Sequence, residues 1–102
     1  MLKVDKEGYL LNLHDWSPQI ATQLAQHEGF ALTAEHWQII ELLRRFYQNY
    51  QLSPTNRVLV KYAAEQLGTE IGNSAHLNRL FNGAPAKLAA KLAGLPKPAN
   101  CL

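Results

Sequence analysis

The sequence predicts a mostly α (α+β) fold: about five helices, a small N-terminal β-hairpin and an extended C-terminal tail. Three observations carry that reading. Cap residues stand before apolar runs at Ser17-Pro18, Thr33 and Ser53-Pro54. A hydroxyl at such a position takes up an orphan N–H, and a first-turn proline lacks a donor where none is needed. Apolar residues between these starts recur at helical rather than alternating spacing. Glycines at 29, 68, 83 and 94 then punctuate the runs where helices are expected to stop.

In chain order, Leu2 and Val4 alternate with polar residues, Lys-Glu-Gly at 6–8 supplies turn chemistry, and Tyr9-Leu10-Leu11 returns. Residues 2–13 are therefore expected to form a hairpin that leans on the helices, since an isolated hairpin is marginal. The first helix follows Ser17-Pro18, places Ile20, Leu24 and His27 along one side and stops at Gly29. Thr33 caps the second, with Glu35 at the positive end of its dipole and Leu32 placed to staple to Trp37. Trp37, Ile39, Ile40, Leu42, Leu43, Phe46, Tyr47 and Tyr50 give it so wide an apolar face that it is expected to be central. Ser53-Pro54 opens a third helix through Leu67. Asn73 or Ser74 caps a short fourth over 74–81, which ends at Asn82-Gly83, and Pro85 opens a last one closed by Gly94. Residues 1–102 form a single domain on this reading: a ribbon over 2–13, a helical core over 17–93 and a mobile tail over 94–102.

Composition bounds the function. Hydrophobic residues are 47% and charged residues 18%, values of a globular chain rather than a disordered one. No run of about 18 apolar residues offers a membrane span. The start, Met-Leu-Lys-Val-Asp-Lys-Glu, lacks the basic-then-apolar pattern of a secretory signal. With one cysteine there is no internal disulfide framework, and a lone exposed thiol stays useful in a reducing compartment, so a cytoplasmic protein is expected. Residues 1–56 hold four basic and six acidic side chains, whereas 57–102 hold six basic and two acidic. The C-terminal half thus carries +4, and after Glu70 there is no acidic side chain. Such a field suits nucleic acid or an acidic protein surface.

Most catalytic chemistries find no support. His14, His27, His36 and His76 have no metal-ligand spacing, and one cysteine does not complete a zinc set. There is no glycine-rich phosphate cradle and no acid pair for general acid/base work. No metal or cofactor is expected. The helices over 54–67 and 74–81, joined by a glycine-containing turn, resemble a helix-turn-helix. Arg57 and Lys61 are placed to touch phosphates, with Asn78 and Arg79 as the base readers on offer. A nucleic-acid-binding module is therefore a rival reading, although the motif is also a common packing unit.

The remaining reactive group is Cys101, the second-last residue. Nearby cations favour its thiolate: Lys97 lies four residues back, Lys87 and Lys91 lie on the last helix, and Arg57 and Lys61 share a face of the third. The terminal carboxylate works against it. Pro96 and Pro98 discourage continuation of the helix past Gly94. The seven steps from Gly94 to Cys101 span roughly 20–25 Å when extended. A stiff arm with a thiol at its tip suits delivery into another protein's active site.

The tail Ala-Gly-Leu-Pro-Lys-Pro-Ala-Asn-Cys-Leu at 93–102 resembles the C-terminal signature of the DsrC/TusE family of sulfur-trafficking proteins. Gly-Asn-Ser at 72–74, Leu80-Phe81, Pro85-Ala86-Lys87, Ser53-Pro54 with Arg57, Leu59 and Lys61, Glu-His-Trp from residue 35 and Glu7-Gly8-Tyr9-Leu10 also fit, so the likeness covers nearly the whole chain. Family members that partner a sulfite reductase carry a second cysteine eleven residues before the terminal one, where this chain has Ala90. That departure argues against a sulfite-reductase subunit and for the single-cysteine branch. The family's Phe-Pro-x-Gly-Pro turn reads Phe81-Asn-Gly-Ala-Pro85 here, with Ala84 displacing the glycine. The resemblance implies a sulfurtransferase that takes persulfide sulfur on Cys101 from a TusBCD-like donor. It would hand that sulfur to a tRNA 2-thiouridylase for wobble-uridine thiolation, reaching tRNA through that enzyme, with neither membrane nor DNA as a partner. Arg57, Lys61 and Lys97 are then candidates for docking or for steadying the sulfur anion.

Overall fold

The computed structural model describes residues 2–99. Among them are a 3-10 turn at Leu13–Asp15 and five α-helices. These are α1 (Pro18–His27), α2 (Ala34–Tyr50), α3 (Asn56–Leu67), α4 (Ser74–Leu80) and α5 (Pro85–Leu92). None is long and apolar enough to cross a membrane.

The expected β-hairpin is not there. Residues 2–13 contain no strand among the described residues; a single antiparallel bridge joins Val4 to Leu10. The reason is local. The Asp5 carboxylate accepts the backbone N–H groups of Glu7 and Tyr9 at 2.9 and 3.0 Å, and its backbone N–H donates to Tyr9 O at 2.8 Å. A side chain thus takes backbone donors that a ladder would use. Tyr9 and Leu10 are both buried, so the alternation of a one-sided ribbon is also lost. Asn12 then caps the 3-10 turn by accepting from His14 N.

The helices begin largely where hydroxyls and amides can cap them. Ser17 accepts from Ile20 N, Asn73 from His76 N, and Thr33 from His36 N. At α2 the reciprocal partner is His36: its Nδ1 accepts the Thr33 N–H at 2.9 Å, and Nε2 reaches Leu80 O at 2.7 Å. Nδ1 is thereby the acceptor and Nε2–H the donor, so one buried ring closes the start of α2 and ties it to the end of α4. The third helix starts two residues later than the Ser53-Pro54 pair suggests. Thr55 is its cap, and Ser53 is engaged elsewhere. Ala84 offers α5 no side-chain cap; Asn56 of α3 supplies one by accepting from Ala86 N at 2.9 Å.

The wide face of α2 buries Ile39, Ile40, Leu42, Leu43 and Phe46. Its counterpart in the middle of the molecule is α5, the element packed against all four other helices. Ala86, Ala89, Ala90 and Ala93 make this possible, because small side chains let neighbouring helices approach from several sides. Leu59, Leu77, Phe81 and Leu92 fill the space between. Gly72 lets the turn before α4 lie directly on α3, where a Cβ would collide with the backbone of Ala63 and Ala64.

Candidate functional site

The end of α5 is built to fix the direction in which the chain leaves the body. Leu95 N donates to Ala90 O at 2.9 Å and Gly94 N to Lys91 O at 3.1 Å, closing the helix through a left-handed glycine of φ 72°. Two carbonyls remain, and side chains from distant elements take both. Trp16 Nε1 donates to Leu92 O at 2.8 Å, and Arg44 Nη1 donates to Ala93 O at 2.6 Å. The Arg44 guanidinium lies over the Trp16 ring, 3.9 Å from its centroid. Burial lowers the pKa of Arg44 from its ordinary value, yet a guanidinium stays charged and complements the negative end of the helix. Gly94 has no alternative here: a Cβ would land on the Trp16 ring.

Beyond Gly94 the arm is seated through Ala99, where the sequence leads one to expect a loose end from 94 onward. Leu95 enters the core and Pro98 is buried. Ser53, itself buried, donates its hydroxyl to Pro96 O at 2.6 Å. Lys97 pairs with Glu7 at 2.9 Å, joining the arm to the N-terminal loop. Arm and body enclose a groove of about 360 Å³ lined by Phe46, Leu52, Pro54, Val58, Pro96 and Ala99.

The expected reactive residue, Cys101, lies outside the described residues, two positions beyond Ala99. Arg57 and Lys61 are exposed one turn apart on α3. Arg57 borders a shallow cleft with Asn56, Ser74 and Asn78, a cleft that Lys61 does not line. Lys97 lies on the arm beside the apolar groove. Lys91, one of the cations expected to favour the thiolate, is held by Glu28 at 3.1 Å and lies 5.2 Å from the Tyr9 ring centroid. The position of the absent second cysteine, Ala90, is fully buried on α5.

Three residues of this site escape sequence reasoning. Trp16 and Arg44 are far apart in the chain and meet only because α1, α2 and α5 pack together. Ser53 did carry a signal, a hydroxyl before a proline, but it reads as a helix cap when it is an arm latch.

Comparison with known proteins places this architecture. The family model described as "DsrC like protein" matches residues 1–102. The chain is 52% identical over 101 residues to the "Sulfurtransferase TusE homolog" of Haemophilus influenzae, covering 99% of this chain and 93% of that one. It is 48% identical to "Sulfurtransferase TusE" of Yersinia pseudotuberculosis, covering 100% and 94%. The NMR structure of Allochromatium vinosum DsrC superposes with a TM-score of 0.88 at 50% identity, covering 97% of this chain and 88% of that one. The crystal structure of the oxidized gamma-subunit of dissimilatory sulfite reductase (DsrC) from Archaeoglobus fulgidus gives 0.85 at 35% identity, covering 99% and 92%. The chain belongs to the DsrC-like family. Within it, this protein is a sulfurtransferase of the sulfur-carrier kind, with a role in a sulfur relay.

Proposed function

We propose that the relay runs through Cys101 as a persulfide, loaded by a TusBCD-like donor and unloaded onto a tRNA 2-thiouridylase in the cytoplasm. The observation that carries this reading is the arm itself. Its base is fixed by Trp16, Arg44 and Ser53, and the one cysteine follows two residues past the last seated position.

In chemical terms, the Cys101 thiolate attacks the outer sulfur of the donor's persulfide. A new S–S bond forms at Cys101 while the donor's own S–S bond breaks, and the donor cysteine leaves as a thiolate with that electron pair. The transferred sulfur ends as Cys101–S–SH, with no net oxidation and no cofactor, by the logic of thiol–disulfide exchange. Handing the sulfur on is a separate step at the acceptor. A single thiol has no internal partner with which to trap it, because position 90 is alanine. Arg57, Lys61 and Lys97 serve as accessory cations, steadying an anionic sulfur or an acidic partner near the arm.

The test is intact-protein mass after incubation with a persulfide-loaded donor. One added sulfur atom is expected on the wild type and none on Cys101→Ser. Retention of the added sulfur by the serine variant would remove the assignment.

A further inference from the structure

Aromatic residues aside, the buried polar side chains among the described residues are His36 and Ser53. His36 is accounted for by the two helix ends that it joins. Ser53 is not: it precedes a helix that Thr55 caps, and it spends its hydroxyl on a backbone carbonyl 43 positions away. Its own backbone is held from both directions. Gln51, left-handed at φ 58°, closes α2 on Tyr47 O, and Pro54 is fully buried. A donor on so fixed a frame sets the place of what it binds. What it binds is the arm at Pro96, with Leu95 in the core before it and Pro98 buried after it.

Lifting the arm off this seat is unfavourable for both partners. It strands a buried hydroxyl, and Pro96 and Pro98 regain little backbone freedom because their φ is fixed in either state. The seat also sets the reach of the thiol. Held through Ala99, the chain offers Cys101 two residues, about 7 Å when extended. Released at Pro96 with Leu95 still anchored, it offers six, about 20 Å. A tether about three times longer sweeps roughly 27 times the volume, so seating concentrates the thiol beside the junction of α2 and α3 by up to that factor.

Resting on the sulfur-carrier reading above, we infer that Ser53 is a positioning residue for sulfur transfer: its bond to Pro96 O keeps the arm seated while Cys101 exchanges sulfur. The donor's reacting sulfur must then be presented at the donor's own surface, within about 7 Å of the seated arm, instead of at the end of a deep channel. Placement of this kind acts on the rate of the bound pair and not on its affinity, because the thiol is oriented without added contact area. A free sulfur compound meets the thiol by diffusion and gains nothing from the seat.

The experiment uses the full-length chain, with loading followed by intact mass from two sulfur sources: the persulfide-loaded TusBCD-like complex and inorganic polysulfide. Ser53→Ala and Ser53→Thr are compared with wild type, and a thermal melt first shows that each is folded. A further variant leaves Ser53 intact and inserts two glycines between Ala99 and Asn100, which lengthens the chain beyond the seat. Ser53→Ala is expected to lower the single-turnover rate at saturating donor about fivefold or more, at an unchanged half-saturating donor concentration. The glycine insertion should lower that rate too, Ser53→Thr should recover it, and polysulfide should load every chain alike. A rate for Ser53→Ala equal to or above wild type, with normal polysulfide loading, overturns the positioning role and leaves the carrier reading standing. An equal or faster rate after the glycine insertion overturns it as well, since the thiol would then work on a longer tether; this arm decides the matter if Ser53→Ala does not fold. A change in the half-saturating concentration alone would assign Ser53 to docking and overturn the inference. Failure of both sulfur sources to load wild-type Cys101 would bring down the carrier reading and this inference together.

Discussion

The guanidinium of Arg44 stacks on the ring of Trp16, and each of the two donates a hydrogen bond to one of the adjacent carbonyls of Leu92 and Ala93. Together they satisfy groups that the end of α5 leaves open and set the exit angle of the arm. Trp16→Phe keeps most of the ring and deletes one donor. It is expected to lower stability by about 1 kcal/mol, since a part-buried carbonyl is left unpaired. Urea unfolding measures this, and a midpoint equal to wild type would show that the Trp16 bond adds nothing.

Gly94→Ala meets two obstacles, a left-handed φ of 72° and the Trp16 ring. We expect a loss of roughly 2 kcal/mol or more, beyond the ordinary cost of a left-handed alanine, because the ring must move off Arg44. Paired with Trp16→Ala, which empties the space, part of that cost should be recovered. Strict additivity of the two substitutions in a double-mutant cycle would contradict the contact.

Ser53→Ala removes the hydroxyl that holds Pro96 O. The global unfolding midpoint should move little, by about 1 kcal/mol equivalent at most. The arm is where the change should appear, as faster proteolytic cleavage within 95–99 read by mass spectrometry. Ser53→Thr, which keeps the hydroxyl, should restore protection if its methyl is accommodated. Equal cleavage of Ser53→Ala and wild type would show that the latch does not hold the arm.

Glu7→Gln breaks the ion pair with Lys97, whose two side chains are 57% and 43% exposed. Solvent screens such a pair, so a stability change within about 0.5 kcal/mol is expected, shrinking further in high salt. A change several times larger would mean that the pair is less screened than its exposure implies.

His36→Ala strips the reciprocal cap from Thr33 and the tie to Leu80 O in one step. The ring also packs edge-on to Phe81, 5.2 Å between centroids. A loss of about 2–4 kcal/mol follows, from two hydrogen bonds and a buried cavity. Chemical denaturation of His36→Ala and His36→Gln should show partial rescue by the amide; identical losses would reduce the residue to filling space.

How much of this was legible in the sequence follows from the range of each interaction. Caps and stops are local, so Ser17, Thr33, Gly29 and Gly83 are read correctly from neighbours alone, and of the two caps the sequence offers for α4, Asn73 or Ser74, the structure uses Asn73. The hairpin fails for an equally local reason that alternation does not register: Asp5 takes the N–H groups of Glu7 and Tyr9 with its side chain. The arm's motif is also local, and it points to Cys101 as the expected reactive residue, which lies outside the described residues. The seat of the arm is not local. Ser53 meets Pro96 across 43 positions and Trp16 meets Leu92 across 76, distances over which a single sequence carries no pairing signal.

The contact between Glu7 and Lys97 spans 90 positions. A segment synthesised earlier thus helps to receive one made much later. While residue 97 is still being held by the translation machinery, the groove lacks its arm-side wall and Pro96 lacks its latch. A half-made chain therefore lacks the assembled groove, which closes only after residues 96 and 97 have been added.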